Sequence, residues 1–410
     1  MEIKYYIFIM KLTSHGILYI FVFFLVVYLL LTAFIRIKMR FWHTQPVFHF
    51  YNLKYWVKPP GFINLGPPPV NKYVNLINNK LITLDVDGKA EVDASPSIEE
   101  ICQFVQDYYV IHDAATYKPS KEDIMAYLQC ANHPAFFNIY QEPRPTETVP
   151  YEIIGVTSSR VLNVLLRSKN KKINFPAYYV DNLCVKPGYR KKGIPPQMIQ
   201  TFYYNVARTN TRVNAYMFKR EGKINAIVPL VYYDSYCFDI AKLQPTYALT
   251  AAMNVIEIGT QQLNSVVSFI KEQTTAFECI ILPDVSSVLN LIKLGKLKMY
   301  GIVFNGEMIA LYVFRPMEMY YEKKKALECI TILSNCQTDA ILIAGFTASL
   351  TKAKGLAELL LIEDTAHSSV IIRHLSQNTS TLCQFKSPTA FFLYNYACYS
   401  AKNTKTLLLY

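Results

Sequence analysis

The sequence predicts an α+β protein of two related halves, preceded by one membrane-spanning helix. Three observations predict it: an apolar run near the N-terminus, strand-like and helix-like periods alternating through the rest, and the order hairpin, helix, strand occurring twice. The chain has 410 residues, of which 52% are hydrophobic, 14% aromatic and 18% charged. That balance excludes a disordered chain, which would be poor in aromatics and rich in charge. Its 21 Pro and 14 Gly follow no period, which excludes collagen-like and linker-type chains. The 9 Cys include no C-x-x-C pair. They are too sparse for a disulfide scaffold and lack zinc-ligand spacing, so no metal is expected.

The first element is the run from Gly16, GILYIFVFFLVVYLLLTAFI, with no Asp, Glu, Lys or Arg between Lys11 and Arg36. A helix of about 20 residues rising 1.5 Å per residue spans about 30 Å, the thickness of a bilayer's hydrocarbon core. A cleaved signal peptide would have a shorter apolar region ending at small residues. Here the run ends in Arg36, Lys38 and Arg40, as an anchor does. These basic residues outweigh Glu2, Lys4 and Lys11 on the other flank, and the positive-inside rule then places the body on the cytosolic face.

Four segments follow from composition: an anchor over 1–38, an extended arm over 39–95, and two globular units over 96–235 and 236–410. The arm is rich in Pro and Asn and carries a turn-like Asp85-Val86-Asp87-Gly88. Ser97-x-x-Glu100 and Ser120-x-x-Asp123 read as helix starts. The runs YEIIGVTSS, LNVLLRS and INFPAYYVDNLCV read as strands, the last two joined at Ser168–Lys172. A helix follows from Ile194 with Pro195 and Pro196 in its first turn, where proline is tolerated. In the second unit Asn305-Gly306 marks a hairpin between YGIVF and MIALYVF. A helix runs from Asp339 to Gly355, then LAELLLI as a strand, SVIIRHL as a helix and AFFLYNYAC as a strand.

The net charge of +12 admits nucleic acid, an anionic membrane face or a phosphorylated small molecule as partner. No zinc finger, basic zipper or RNA-recognition signature occurs, and nucleic acid is not expected. The charge has a better use in the stretch from Leu183 to Pro195. A strand runs into a loop with Arg190, Lys191, Lys192 and Gly193, then into a helix. Backbone N–H groups at such a turn, together with three cations, suit a diphosphate.

The pattern L-x-V-x-P-x-x-R-x-x-G-x-P after a strand resembles the coenzyme A loop of the Gcn5-related (GNAT) acyltransferases. A narrower resemblance is to the eukaryotic protein N-myristoyltransferases. It rests on Phe41-Trp42-His43-Thr44-Gln45-Pro46-Val47, on Asp181-Asn182-Leu183-Cys184-Val185, on Ala353-Lys354-Gly355, and on Phe391-Phe392-Leu393-Tyr394-Asn395-Tyr396-Ala397-Cys398, all in family order. The resemblance implies a duplicated GNAT-like fold around a saddle-shaped sheet. It implies transfer of a myristoyl or other long acyl group from acyl-CoA, a co-substrate rather than a permanent cofactor, to the N-terminal glycine of a protein.

Carried over by position, the acyl-CoA site comprises Arg40, Phe41, Trp42, Asn182, Leu183, Cys184, Val185, Arg190, Lys191, Lys192, Gly193, Ile194 and Pro195. The catalytic set comprises the backbone N–H groups of Asn182 and Leu183 as oxyanion donors, and the C-terminal carboxylate of Tyr410 as general base. Asp181 is the rival base.

Departures from the family pattern are Asp181 in place of Asn and Met217 in place of a Thr hydroxyl that would face the amine. The family's acidic run is replaced by Ile111-His112-Asp113-Ala114-Ala115. Glu363 is a candidate substrate-facing acid. Cys184 reads as a core strand cysteine rather than an acyl acceptor, and His43 and His112 lack the partners of a catalytic histidine. The alternative function is an inactive membrane scaffold of the same fold that binds acyl-CoA or a lipidated N-terminus. A purely structural membrane protein would need no ligand at all.

Overall fold

A computed structural model describes residues 2–77, 80–86, 96–112, 115–129, 132–143, 151–168, 171–222, 227–241, 243–378 and 381–410. The expected turn residues Asp87 and Gly88, and Asp113 and Ala114 of the altered acidic run, lie outside the described residues. The N-terminal helix spans Glu2–Lys38. Its segment Gly16–Lys38 has a mean hydropathy of 2.8 and is only 6% buried, long and apolar enough to cross a membrane. The Tyr28 hydroxyl donates to the Tyr51 carbonyl at 2.8 Å, joining the helix to the arm.

The arm is held by its polar side chains. Tyr394 donates to Gln45 at 2.7 Å, Asn64 N–H donates to Asn395 Oδ1 at 2.8 Å, and Gly61–Phe62 pairs with Tyr396–Ala397. Its far end, Leu81–Asp85, is a true sheet strand that pairs antiparallel with Phe136–Pro143.

Leu81–Asp85 and Phe136–Pro143 belong to one mixed sheet of 16 strands, which holds every described strand outside the Gly61–Phe62/Tyr396–Ala397 pair. The repeated order is plain in it. In the first unit the strands Tyr151–Ser168 and Lys171–Val185 lead through the helix Ile194–Thr209 to Ala215–Glu221, which lies parallel to Lys171–Val185. In the second, Glu307–Tyr321 and Lys324–Ser334 lead through the helix Asp339–Ala353 to Leu359–Glu363, parallel to Lys324–Ser334.

The units exchange a strand. Val231–Asp239 pairs with Leu359–Glu363 of the second unit, and Leu382–Tyr394 returns to pair with Ala215–Glu221 of the first. The two exchanged strands also pair with each other, closing the seam. Position 235, the expected boundary, falls within one of them.

Two expectations change. The runs YEIIGVTSS and LNVLLRS are one 18-residue strand, because no Gly, Pro or Asn interrupts the ladder between Ser159 and Leu162. The strand Lys324–Ser334 carries no expected turn before it. Its hairpin turns through Glu322 (φ 48°) and Lys323 (φ 70°), whereas the Asn305-Gly306 turn adopts left-handed conformations with residues that favour them. Left-handed Glu and Lys give no sequence signal.

The helix Asp339–Ala353 is buried over most of its circumference, and Gly345 is where it closes on the sheet. A methyl group there would lie 2.3 Å from Ile302 Cδ1 and 2.6 Å from the Tyr312 hydroxyl. Tyr312 is fixed, since its hydroxyl donates to the Leu342 carbonyl at 2.7 Å. Gly345→Ala should therefore destabilise the protein by about 1–3 kcal/mol, the usual range for overpacking. A urea titration of the two proteins measures the difference.

Candidate active site

The site begins with a β-bulge. Along the pair Tyr151–Ser168 and Lys171–Val185, Val156 faces Cys184 but Ser158 faces Asp181, so Asn182 and Leu183 together oppose Thr157. Asn182 takes φ 53°, a left-handed conformation that asparagine tolerates better than most residues. Thr157 Oγ1 donates to the Asp181 carbonyl at 2.9 Å, and Asn182 Nδ2 donates to Ser158 Oγ at 2.8 Å, which fixes the bulge from the neighbouring strand.

Asp181 Oδ1 accepts from the Asn182 N–H at 2.8 Å and from the Tyr109 hydroxyl at 3.1 Å. One of the two expected oxyanion donors is thus engaged by the preceding side chain. The Asp181 carboxylate, with burial, holds the Tyr109 phenol well above its ordinary range.

Two cavities meet here. A cavity of about 230 Å³ is lined mainly by apolar side chains, among them Trp42, Val180, Leu183, Ile199, Phe202 and Phe218. Another of about 440 Å³ is lined by polar and charged groups that include Asp123, Arg160, Arg315, Glu328 and Tyr410. Tyr109, Asp181, Asn182 and Lys219 belong to both walls. The hairpin Ile111–His112/Ala115–Tyr117 adds to the edge of Glu307–Tyr321, with Tyr117 opposite Met319, and so borders the polar cavity.

The chain's last residues form the floor. Thr406–Leu408 pairs parallel with Cys279–Leu282, the Leu409 N–H donates to the Ile281 carbonyl at 2.8 Å, and residues 407–410 are all buried. The main-chain oxygen of Tyr410 accepts from Arg315 Nη1 at 3.1 Å. Its ring packs on Phe391 and Tyr179, and its hydroxyl accepts from Lys219 at 2.8 Å and donates to Glu363 at 2.7 Å. Lys219 is also 2.7 Å from Glu363, and Arg315 Nε donates to Glu328 at 2.7 Å.

Burial opposes charge on Lys219 and Arg315, but the facing carboxylates outweigh it and hold both well above their ordinary values. Burial also opposes charge on Glu328, where Arg315 and Lys219 win and hold the carboxyl below its ordinary range. Glu363 is held above that range, because burial and Glu328 together outweigh Lys219.

The other sequence candidates are dispersed around this centre. Phe41 packs edge-on against Trp42 and Tyr73, and Trp42 stacks on Phe218 with ring centroids 5.5 Å apart. Arg40 is exposed, and its carbonyl accepts from Tyr73 at 3.3 Å. Val185 and Ile194 are buried beneath the basic loop, whose Arg190, Lys191, Lys192 and Gly193 are exposed. Arg190 Nε donates back to the Val185 carbonyl at 3.0 Å. Gly193, with φ 77°, caps the helix Ile194–Thr209 without a side chain, and Pro195 follows in the first turn.

Cys184 is a core residue whose thiol burial pushes up to about 12. Met217 is fully buried and turned into the core. Glu363, a weak candidate by sequence, is central. Arg160, Arg315 and Glu328 were missed, because each lies in a strand whose sequence reads only as alternation; a charged residue at an inward position was the available signal.

No family model matches the sequence, and no curated protein is similar to it. Solved structures are. Three crystal structures of Saccharomyces cerevisiae N-myristoyltransferase with bound myristoyl-CoA, one also with inhibitors, match at TM-scores of 0.66, 0.65 and 0.66 with 14%, 13% and 14% identity. The matches cover 89%, 90% and 90% of this chain and 90%, 99% and 95% of theirs. The chain has an α+β acyltransferase fold. It is the N-myristoyltransferase fold, as the motifs implied.

Glu328→Gln removes the carboxylate that faces Arg315 in a buried site. Breaking a buried pair from one side costs about 3–5 kcal/mol, to be read in a denaturant titration at pH 7. Because Glu328 is depressed in the folded protein, its contribution is present above its ordinary value of 4.5 and lost as pH falls through the lower folded value. The stability gap between the two proteins should therefore narrow as pH falls below 4.5.

Proposed function

We propose that this protein transfers a myristoyl or similarly long acyl group from acyl-CoA to the N-terminal glycine of a protein substrate. The observation that carries the reading is the meeting of an apolar and a polar cavity at the Asp181–Asn182 bulge, on a fold shared with enzymes crystallised with myristoyl-CoA. In this reading the apolar cavity takes acyl chain, the polar cavity takes the peptide end, and the thioester lies at the bulge. The basic loop of Arg190, Lys191, Lys192 and Gly193 holds the diphosphate of coenzyme A, and Arg40, Phe41 and Trp42 flank the acyl-CoA.

An α-amino group has a pKa of about 7.7–8.0, so a base is needed to release its lone pair at neutral pH. The carboxylate that ends the chain at Tyr410 fills that role in the proposal. The freed amine attacks the thioester carbon, the thiolate of coenzyme A leaves, and the backbone N–H groups of Asn182 and Leu183 stabilise the oxyanion. Asp181 must then release the Asn182 N–H as substrate binds, and in doing so it becomes available to hold the incoming ammonium.

The placement is on a membrane, with the helix Gly16–Lys38 spanning the bilayer and the body on the cytosolic face. The exposed Leu53, Trp56 and Val57 of the arm, which is joined to the helix through Tyr51 and Tyr28, support contact with a membrane surface.

A second reading is a scaffold of the same fold that binds acyl-CoA or a lipidated N-terminus without turnover. Three features favour it. Arg315 already engages the Tyr410 oxygen, the Lys219 ammonium stands at the junction of the cavities, and Met217 offers no hydroxyl. Mass spectrometry of a glycine-ended peptide after incubation with protein and myristoyl-CoA separates the two readings: a product of acylated mass supports the first, and acyl-CoA binding without product supports the second.

Replacing Arg190, Lys191 and Lys192 together by Ala should weaken acyl-CoA binding at least tenfold in titration calorimetry, since charge-assisted contacts contribute about 1.5–3 kcal/mol each. Appending residues after Tyr410 should lower turnover by about 10²–10⁴, the usual worth of general-base catalysis, with acyl-CoA affinity hardly changed. If the extended chain keeps full turnover while Asp181→Asn loses it, Asp181 is the base.

A further inference from the structure

Arg160 is a charged group of the polar cavity that no described residue pairs with. It lies mid-strand in Tyr151–Ser168, opposite Tyr179, and is 8% exposed. Its guanidinium carbon is 5.0 Å from the Tyr127 ring centroid and 4.9 Å from that of Tyr179, so two aromatic faces hold it in the cavity wall. Among the described residues it makes no hydrogen bond and no ion pair. The other cations of that wall are matched: Lys219 with Glu363, Arg315 with Glu328, and Lys296 with Asp123. Asp181, which lines the same cavity, is engaged by Tyr109 and the Asn182 N–H.

A guanidinium cannot shed its proton to escape burial. Its nitrogens are not enclosed by protein but open onto the cavity, where water or an anionic ligand completes their hydrogen bonds. We propose that Arg160 is a specificity site for a carboxylate on the acyl acceptor, so that the preferred substrate carries Asp or Glu close behind its N-terminal glycine. This deepens the acyltransferase reading and rests on it. A single carboxylate fits better than a phosphate, because Asp181, Glu221, Glu318 and Glu328 also line the cavity and would repel a dianion.

Position follows from the rings. The Tyr179 ring, in contact with Arg160, is 5.7 Å from the Tyr410 ring, which places the Arg160 guanidinium within roughly 11 Å of that ring in the cavity floor. An extended chain covers about 3.3–3.6 Å per residue. The acidic residue therefore belongs at the second, third or fourth position.

The test is calorimetric binding of glycine-ended octapeptides to the full chain in detergent with myristoyl-CoA present. Each peptide carries Glu at position 2, 3 or 4, and each has a Gln counterpart. At least one Glu peptide should bind tenfold or more tightly than its Gln partner. Arg160→Met should abolish that preference, and Arg160→Lys should restore part of it. The thermal midpoint of unliganded Arg160→Met should change little, since the two cation–π contacts it loses are offset by apolar packing on the same rings. A phosphoserine peptide should bind no better than Gln.

Equal affinity of all Glu and Gln peptides would overturn the inference and leave the acyltransferase reading standing. A preference that survives Arg160→Met, a marked fall in its midpoint, or tightest binding by phosphoserine would overturn it as well. If no glycine-ended peptide binds while myristoyl-CoA does, the acceptor reading itself fails and the inference falls with it.

Discussion

The structure depends on one buried network of charges in which Lys219, Glu363, Tyr410, Arg315 and Glu328 are linked by contacts at hydrogen-bond distance. Its members come from four strands and the chain's end, and the strands belong to both repeated units. Glu328, Glu363 and Tyr410 are buried and Lys219 and Arg315 mostly so, which makes an unmatched charge among them costly. The exchanged strands fix the register between the two units by backbone ladders, and in that register every ion of the network finds its partner at the wall of the polar cavity.

The exchange of strands serves the same end. Because Leu382–Tyr394 returns to the first unit, Lys219 on Ala215–Glu221 and the chain's final segment arrive on the same side of the sheet. The parallel pairing of Thr406–Leu408 with Cys279–Leu282 then drives Tyr410 beneath the bulge. The apolar segment Thr406–Leu408, with three ladder partners, leaves Tyr410 little freedom, and its aromatic ring becomes part of the core against Phe391 and Tyr179.

Electrostatically, the two cavities divide the work. The smaller one is walled mainly by apolar and aromatic side chains, while the polar one is a mosaic of ions, matched among the described residues except for the Arg160 guanidinium and for Asp181, whose partners are neutral donors. Asp181 stands at the border, tied to Tyr109 and to its neighbour's backbone. It is the one ionised side chain at the junction whose partners are neutral donors. Displacing it from those donors is far easier than breaking the buried pairs behind it, which makes the bulge the part of the site that can respond to a ligand.

Local features were legible in the sequence because local physics dictates them. Both capping boxes, at Ser97 and Ser120, form as read, and the Asn305-Gly306 turn, the prolines opening the helix at Ile194 and the apolar span from Gly16 follow from steric, hydrogen-bonding and hydrophobic rules that act over a few residues. The repeat and the family motifs carried the fold. The sequence could not disclose the hairpin through Glu322 and Lys323, where the tertiary ladder overrides weak turn propensity, nor the exchange of strands between units. It also could not show which charges face one another. Arg315 and Glu328 are distant from Lys219, Glu363 and Tyr410 along the chain, and only the register of the sheet brings them within hydrogen-bond reach. Sequence by itself determined most local elements, the long apolar helix and the motifs; tertiary structure alone decided the bulge, the ion network, the burial of Tyr410 and, among the described residues, the unpaired Arg160, because burial and charge pairing are properties of the assembled sheet rather than of any one segment.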